Sequence, residues 1–103
     1  MNSWMDRRSG PRRSLNSVIP IRVDAHSGRL LDVSDSGLRF ELDWPANDQI
    51  PSAVTLFVGT QSVAVPVIVA WKLQEGNRPW VCGALVSADG KAAWRRLLPM
   101  LAE

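Results

Sequence analysis

The sequence contains no tyrosine, one cysteine and one histidine among its 103 residues, and these shortages exclude several classes of protein. Cys82 has no second cysteine with which to form an intramolecular disulfide, which favours a reducing compartment such as the cytoplasm. A zinc site needs about four ligands at short spacings, and His26 lies far from Cys82 in the sequence. Because the chain also lacks a nucleophile–base–orienter set and an acidic cluster for catalytic metals, we expect neither an enzyme nor a metal cofactor.

Long uncharged runs are equally scarce, and only the segment from Gln49 to Trp71 is long enough to cross a hydrocarbon layer of roughly 30 Å as a helix. The segment is rich in valine, is interrupted by residues 59–62 and contains Pro66, which favours two strands around a turn. The N-terminus also lacks the apolar core of a secretory signal. We therefore expect no membrane span.

The chain is 46% apolar and 21% charged, which is typical of a globular protein. Its length suffices for one packed core, so we expect a single domain. The net charge of +2 is unevenly distributed, because residues 1–22 hold five arginines and one aspartate, which leaves −2 for the remainder. Such a basic segment indicates an anionic partner or serves as a solubilising tail.

Residues 1–16 lack apolar periodicity and contain Gly10-Pro11, which predicts a flexible basic arm ahead of a domain at residues 17–103. Within that domain, a hydrophobic period of two predicts six strands. The expected strands are 17–24, 29–33, 38–42, 53–58, 62–72 and 80–86. Strands at this spacing predict an all-β fold, either an antiparallel barrel or a sandwich, with Pro20 and Pro66 at an edge or a bulge.

The period changes near the C-terminus, where a helix is expected at about residues 88–101. Ser87 or Asp89 is a candidate cap, and apolar residues follow at three- and four-residue spacing. They are Trp94, Leu97, Leu98 and Leu101. Since a short helix is marginal alone, this apolar stripe is expected to pack on the strands.

Two short motifs stand out. Arg8 and Arg12 form an RxxxR element in the arm, and Asp32, Ser34 and Gly37 form a DxSxxG element after the second strand. In this order and spacing the two elements resemble the signature of PilZ domains, which are bacterial receptors for cyclic di-GMP. The resemblance covers nearly the whole chain and implies a six-stranded antiparallel PilZ-type β-barrel followed by a helix.

The resemblance also implies how the ligand is held. Arg8 and Arg12 would bind guanine edges and phosphates, with Arg7 beside them, because a guanidinium can form paired hydrogen bonds with either group. Asp32 and Ser34 would accept hydrogen bonds from the guanine N1–H and N2–H₂ groups.

The roles expected for other residues near the motifs are less specific. Gly37 is expected to supply the positive φ that shapes the turn, Asp35 to point to solvent, and Arg13 to be a solvated charge. Trp71 looks like the aromatic position that flanks a guanine in some PilZ domains, where stacking contributes roughly 1–3 kcal/mol, although core packing explains it equally well. The remaining tryptophans are expected to pack against the barrel and helix (Trp44, Trp80, Trp94) or to lie in the arm (Trp4).

The sequence therefore predicts a cytoplasmic cyclic di-GMP receptor whose arm orders around the dinucleotide and passes the signal to a downstream protein. One alternative is a PilZ-like adaptor that acts by protein contact without a ligand. Another is a small barrel that binds nucleic acid through its arm, which the DxSxxG acceptors make less favourable than a guanine ligand. The sequence is compatible with one or two cyclic di-GMP molecules per chain and with a monomer or a homodimer.

Overall fold

The computed structural model describes residues 12–43 and 51–102, which form six strands and a C-terminal helix. The strands are β1 (Pro20–Val23), β2 (His26–Val33), β3 (Gly37–Leu42), β4 (Ala53–Val58), β5 (Gln61–Leu73) and β6 (Trp80–Val86). A 3₁₀ turn (Ala88–Gly90) leads into helix α1 (Lys91–Leu101). The all-β fold with a C-terminal helix is thus confirmed.

The strands close into an antiparallel barrel in the order β1-β2-β3-β6-β5-β4, because β1 pairs with both β2 and β4. Pro20 is the first residue of β1, and Pro66 lies where β5 changes its partner from β4 to β6. Neither proline lies at a bulge. Both occupy positions where a strand begins or changes partner, so the missing N–H breaks no continuous ladder.

The barrel interior is filled by alternate residues of every strand, as a period of two requires. Phe40, Leu56 and Cys82 are fully buried. Helix α1 buries Trp94, Leu97, Leu98 and Leu101 in the same core, which confirms the expected apolar stripe. Each buried leucine contributes roughly 1.5–3 kcal/mol, so the helix depends on this packing for its stability.

Two β-bulges interrupt the alternation. In β2 the pairing with β3 shifts between Leu30 and Asp32, and in β5 the pairing with β6 shifts between Val69 and Trp71. In a regular strand, residues two apart face the same side, so Asp32 would point inward with Leu30. The extra residue in each bulge instead turns Asp32 and Trp71 to the outside of the barrel.

The described part of the arm, residues 12–16, lies against the domain. Arg13 and Val33 exchange two backbone hydrogen bonds, and Leu15 forms a bridge with Ala102. The Asn16 N–H donates to the Leu101 carbonyl at 2.9 Å. The arm thus contacts both β2 and the end of α1, and the prediction of a flexible arm falls, for residues 1–11, outside the described residues.

Candidate functional site

A row of paired residues crosses four neighbouring strands on the outside of the barrel. Asp32 of β2 pairs with Arg39 of β3, Arg39 pairs with Gly83 of β6, and Gly83 pairs with Trp71 of β5. We call these four residues the outer row. Three strand spacings of about 4.8 Å separate its ends, so the row covers about 14 Å of surface. It brings a carboxylate, a guanidinium, bare backbone and an indole together.

Asp32 lies between two arginines. Its Oδ2 accepts hydrogen bonds from Arg39 Nη2 at 2.6 Å and Nε at 3.0 Å, and its Oδ1 lies 4.0 Å from Nε of Arg12. The three side chains are partly buried, with exposed fractions of 15% for Asp32, 25% for Arg12 and 35% for Arg39. Two cations around one carboxylate leave a net positive charge, which suits an anionic ligand.

Trp71 rests on Gly83. A Cβ at position 83 would overlap the Trp71 indole ring, so only glycine allows the ring to lie this close to β6. The indole is half-buried rather than enclosed in the core. Of the two explanations offered by the sequence, its place on the outer row favours an aromatic surface over Gly83 rather than packing inside the barrel.

The DxSxxG turn differs in detail from the expectation. Ser34 is only 1% exposed, and its Oγ donates to the Gly37 carbonyl at 3.5 Å, so it lies beneath the surface and shapes the turn. The contact between Ser34 and guanine stays a prediction, and it would require the turn to expose the hydroxyl. The predicted positive φ of Gly37 is wrong, since the only described glycines with positive φ are Gly59 and Gly76. Gly37 instead acts through its carbonyl.

The same turn is tied to the helix. The Trp94 Nε1–H donates to the Ser34 carbonyl at 3.0 Å in a buried hydrogen bond. The packing role predicted for Trp94 is confirmed, and Trp80 also packs against the core. This bond fixes α1 relative to the turn that follows Asp32 and the end of β2.

The arm arginines divide between two surfaces. Arg12 faces Asp32, whereas Arg13 forms an ion pair with Asp35, with 2.5 Å between Nη2 and Oδ1. Arg13 is therefore not a merely solvated charge, and the exposed carboxylate of Asp35 has a partner. Arg7 and Arg8, like Trp4 and Trp44, lie outside the described residues.

The sequence pattern did not single out Arg39 or Gly83. Arg39 was an ordinary outward-facing residue in the apolar–polar alternation of β3, and only the register with Asp32 gives it a role. A glycine inside a strand, such as Gly83, is a known signal for close approach of another group, and it could have been found.

Cys82 and His26, the only cysteine and histidine of the sequence, lie in strands of the barrel. Burial raises the pKa of the Cys82 thiol from 9.0 to about 11, although the positive charge of Lys72 lowers it, so the thiol is a poor nucleophile. His26 is the first residue of β2. Within residues 12–43 and 51–102, no group of three or more His, Cys, Asp or Glu residues could hold a metal ion.

No helix in the described ranges is long and apolar enough to span a membrane.

Comparisons with known proteins agree with the geometry. A search of curated proteins finds no match to the chain. A family model, the PilZ domain, matches residues 6–94, a range that contains the RxxxR element, the DxSxxG turn and the whole outer row. This match covers most of the chain, and the six-stranded barrel with its C-terminal helix is the architecture that the motifs implied. The protein therefore belongs to the PilZ domain family, a family of cyclic di-GMP-binding receptor domains.

Proposed function

We propose that this protein is a cyclic di-GMP receptor that binds the dinucleotide over the outer row. The observation that carries the proposal is the register that aligns Asp32, Arg39, Gly83 and Trp71 beside Arg12. Cyclic di-GMP has two phosphodiester charges and two guanine bases. The row offers cations for the first and an aromatic surface for the second.

Each residue of the site has a proposed role. Arg12 and Arg39 bind phosphate oxygens or the O6/N7 edge of guanine through paired hydrogen bonds. Asp32 holds both guanidinium groups in place, and its Oδ1 keeps acceptor capacity for the guanine N1–H and N2–H₂ groups. Trp71 stacks on a base, and Gly83 sets the height of the ring above the strand.

The arm completes the site in this proposal. Arg7 and Arg8 precede Arg12 in the sequence and add two positive charges that attract the ligand. They fold over the bound dinucleotide while Arg12 already lies at the row. The resulting change in surface is read by a downstream protein in the cytoplasm, and the fixed link between Trp94 and the turn supports α1 as part of that surface.

Isothermal titration with cyclic di-GMP tests the proposal. GMP, cyclic GMP and a short single-stranded RNA are titrated separately as controls. We expect selective binding of cyclic di-GMP and a stoichiometry of one or two per chain. Binding of the RNA alone would identify a nucleic-acid-binding barrel. Binding of none, by a folded protein, would support an adaptor that acts without ligand.

Arg12→Ala should weaken binding of cyclic di-GMP by roughly 5- to 150-fold, which corresponds to the loss of about 1–3 kcal/mol from a paired guanidinium contact. The matched control is Arg22→Ala, which removes the same charge from β1, on the opposite side of the barrel from β6. Equal affinities of the two variants would disprove the role of the arm.

A further inference from the structure

A cleft of about 490 Å³ lies between the DxSxxG turn and helix α1, and we call it the helix cleft. The turn contributes Asp35 and Ser36 to its wall, and the helix contributes Lys91 and Arg95. Arg13 closes the side formed by the arm. None of these residues belongs to the outer row, so the helix cleft is a separate concave surface.

The charges around the helix cleft are mostly positive. Arg13 and Asp35 neutralise each other in their ion pair. Lys91 and Arg95 are exposed, stand one turn apart on the same face of α1, and form no ion pair within the described ranges. Because α1 contains no acidic residue, two positive charges remain uncompensated at the wall.

Apolar surface adjoins these cations. A second depression, of about 330 Å³, shares Ser36 and Lys91 with the helix cleft and is lined by Leu85. Ile68 pairs with Leu85 across β5 and β6 and is 62% exposed, so the two side chains form an apolar surface beside the cations. Cations and exposed apolar side chains side by side are typical of a surface that binds another protein.

We infer that the helix cleft docks an acidic segment of a partner protein in which carboxylate and apolar side chains alternate. The carboxylates pair with Lys91 and Arg95, and the apolar side chains cover Leu85 and Ile68. Charge complementarity selects an acidic occupant. A phosphate alone would leave the apolar side chains of Leu85 and Ile68 uncovered, and a duplex or a lipid surface needs an extended cationic face rather than a concave, half-apolar one.

The link between this surface and cyclic di-GMP rests on the proposed function. Arg12 and Arg13 are adjacent, and they face the outer row and the helix cleft respectively. A ligand that repositions Arg12 therefore also repositions the arm wall of the helix cleft, and the two occupants change each other's affinity by the same factor.

The test uses two fluorescein-labelled octapeptides, one of alternating Glu and Leu and one with Gln in place of Glu, titrated into the full chain and followed by anisotropy and by ¹⁵N amide shifts. At physiological salt, where charges beyond about 8 Å are screened, we expect only the Glu peptide to bind. Arg95→Glu should lower its affinity by about tenfold or more. Arg96→Glu is the matched control, since it reverses the neighbouring exposed charge on α1 and does not line the cleft.

Amide shifts at Ser36, Lys91 and Arg95, together with an Arg95→Glu loss that Arg96→Glu does not share, would establish the docking surface. Equal binding of the two peptides, equal losses in the two variants, or full displacement by millimolar inorganic phosphate would overturn it. A repeat with saturating cyclic di-GMP tests the link alone. If cyclic di-GMP does not bind and the Glu peptide does, the proposed function fails and the docking surface stands.

Discussion

Replacing Gly83 by alanine would place a methyl group where the Trp71 ring lies. The new Cβ would overlap three atoms of the indole, whereas an ordinary carbon–carbon contact is about 3.5–4.0 Å, so the ring must move away by roughly 1 Å or more. Overpacking of this kind costs about 1–3 kcal/mol of stability. Displacing the ring should also remove the stacking of a guanine, which contributes about 1–3 kcal/mol and corresponds to a 5- to 150-fold loss of affinity for cyclic di-GMP.

A double-mutant cycle separates this effect from simple damage to β6. Urea unfolding followed by circular dichroism, and titration with cyclic di-GMP, are measured for Gly83→Ala, Trp71→Leu and the double variant. Because leucine lacks the ring that the new methyl group strikes, Gly83→Ala should cost little in the Trp71→Leu background. The reasoning is refuted if Gly83→Ala has the same cost in both backgrounds, or if the single variant binds with unchanged affinity.

Two further predictions concern charge. Arg39→Ala should destabilise the fold by about 1–2 kcal/mol, because it removes both hydrogen bonds to the largely buried Asp32. Arg29→Ala, which breaks the exposed pair with Glu41, should cost only about 0–1 kcal/mol. Urea midpoints of the two variants compare these costs, and equal costs would contradict the prediction. Cys82 keeps its proton to a higher pH in the folded state, since its folded pKa of about 11 exceeds the ordinary thiol value of 9.0. The contribution of the protonated thiol to stability is therefore complete below about pH 9 and is lost as the pH rises toward 11. Urea midpoints from pH 8 to 10.5 should therefore fall less steeply for Cys82→Ala than for the unchanged protein, and parallel curves would disagree with this assignment.

The barrel was predictable because its strands follow a simple alternation, but the site depends on departures from that alternation. Strand β2 alternates until Leu30, and the bulge that turns Asp32 outward has no distinct residue signal. The same holds for Trp71, whose outward direction depends on the bulge in β5. The motif therefore identified Asp32, whereas its partner Arg39 could be found only from the register.

The turn and the arm show a second limit of sequence reasoning. The pattern DxSxxG indicated which residues form the turn, but it did not reveal that Ser34 is covered by the helix that arrives about sixty residues later and donates to its carbonyl. Arg13 looked like any charge in an arginine-rich segment, and its pairing with Asp35 depends on the path of the arm along β2. Contacts between distant segments decide both cases.

The closed barrel limits where a ligand could change the shape of the proposed receptor. Every described strand has two neighbours, and β5 closes the wall by pairing first with β4 and then with β6. Sliding one strand by a residue would break two ladders and turn its core residues to the solvent, so the wall is unsuited to moving in response to a ligand. The described segments outside the wall are residues 12–16 and α1, which meet where the Asn16 N–H donates to the Leu101 carbonyl. In the proposed function, substitutions in those two segments would therefore change which partner protein the domain contacts while the barrel stays the same.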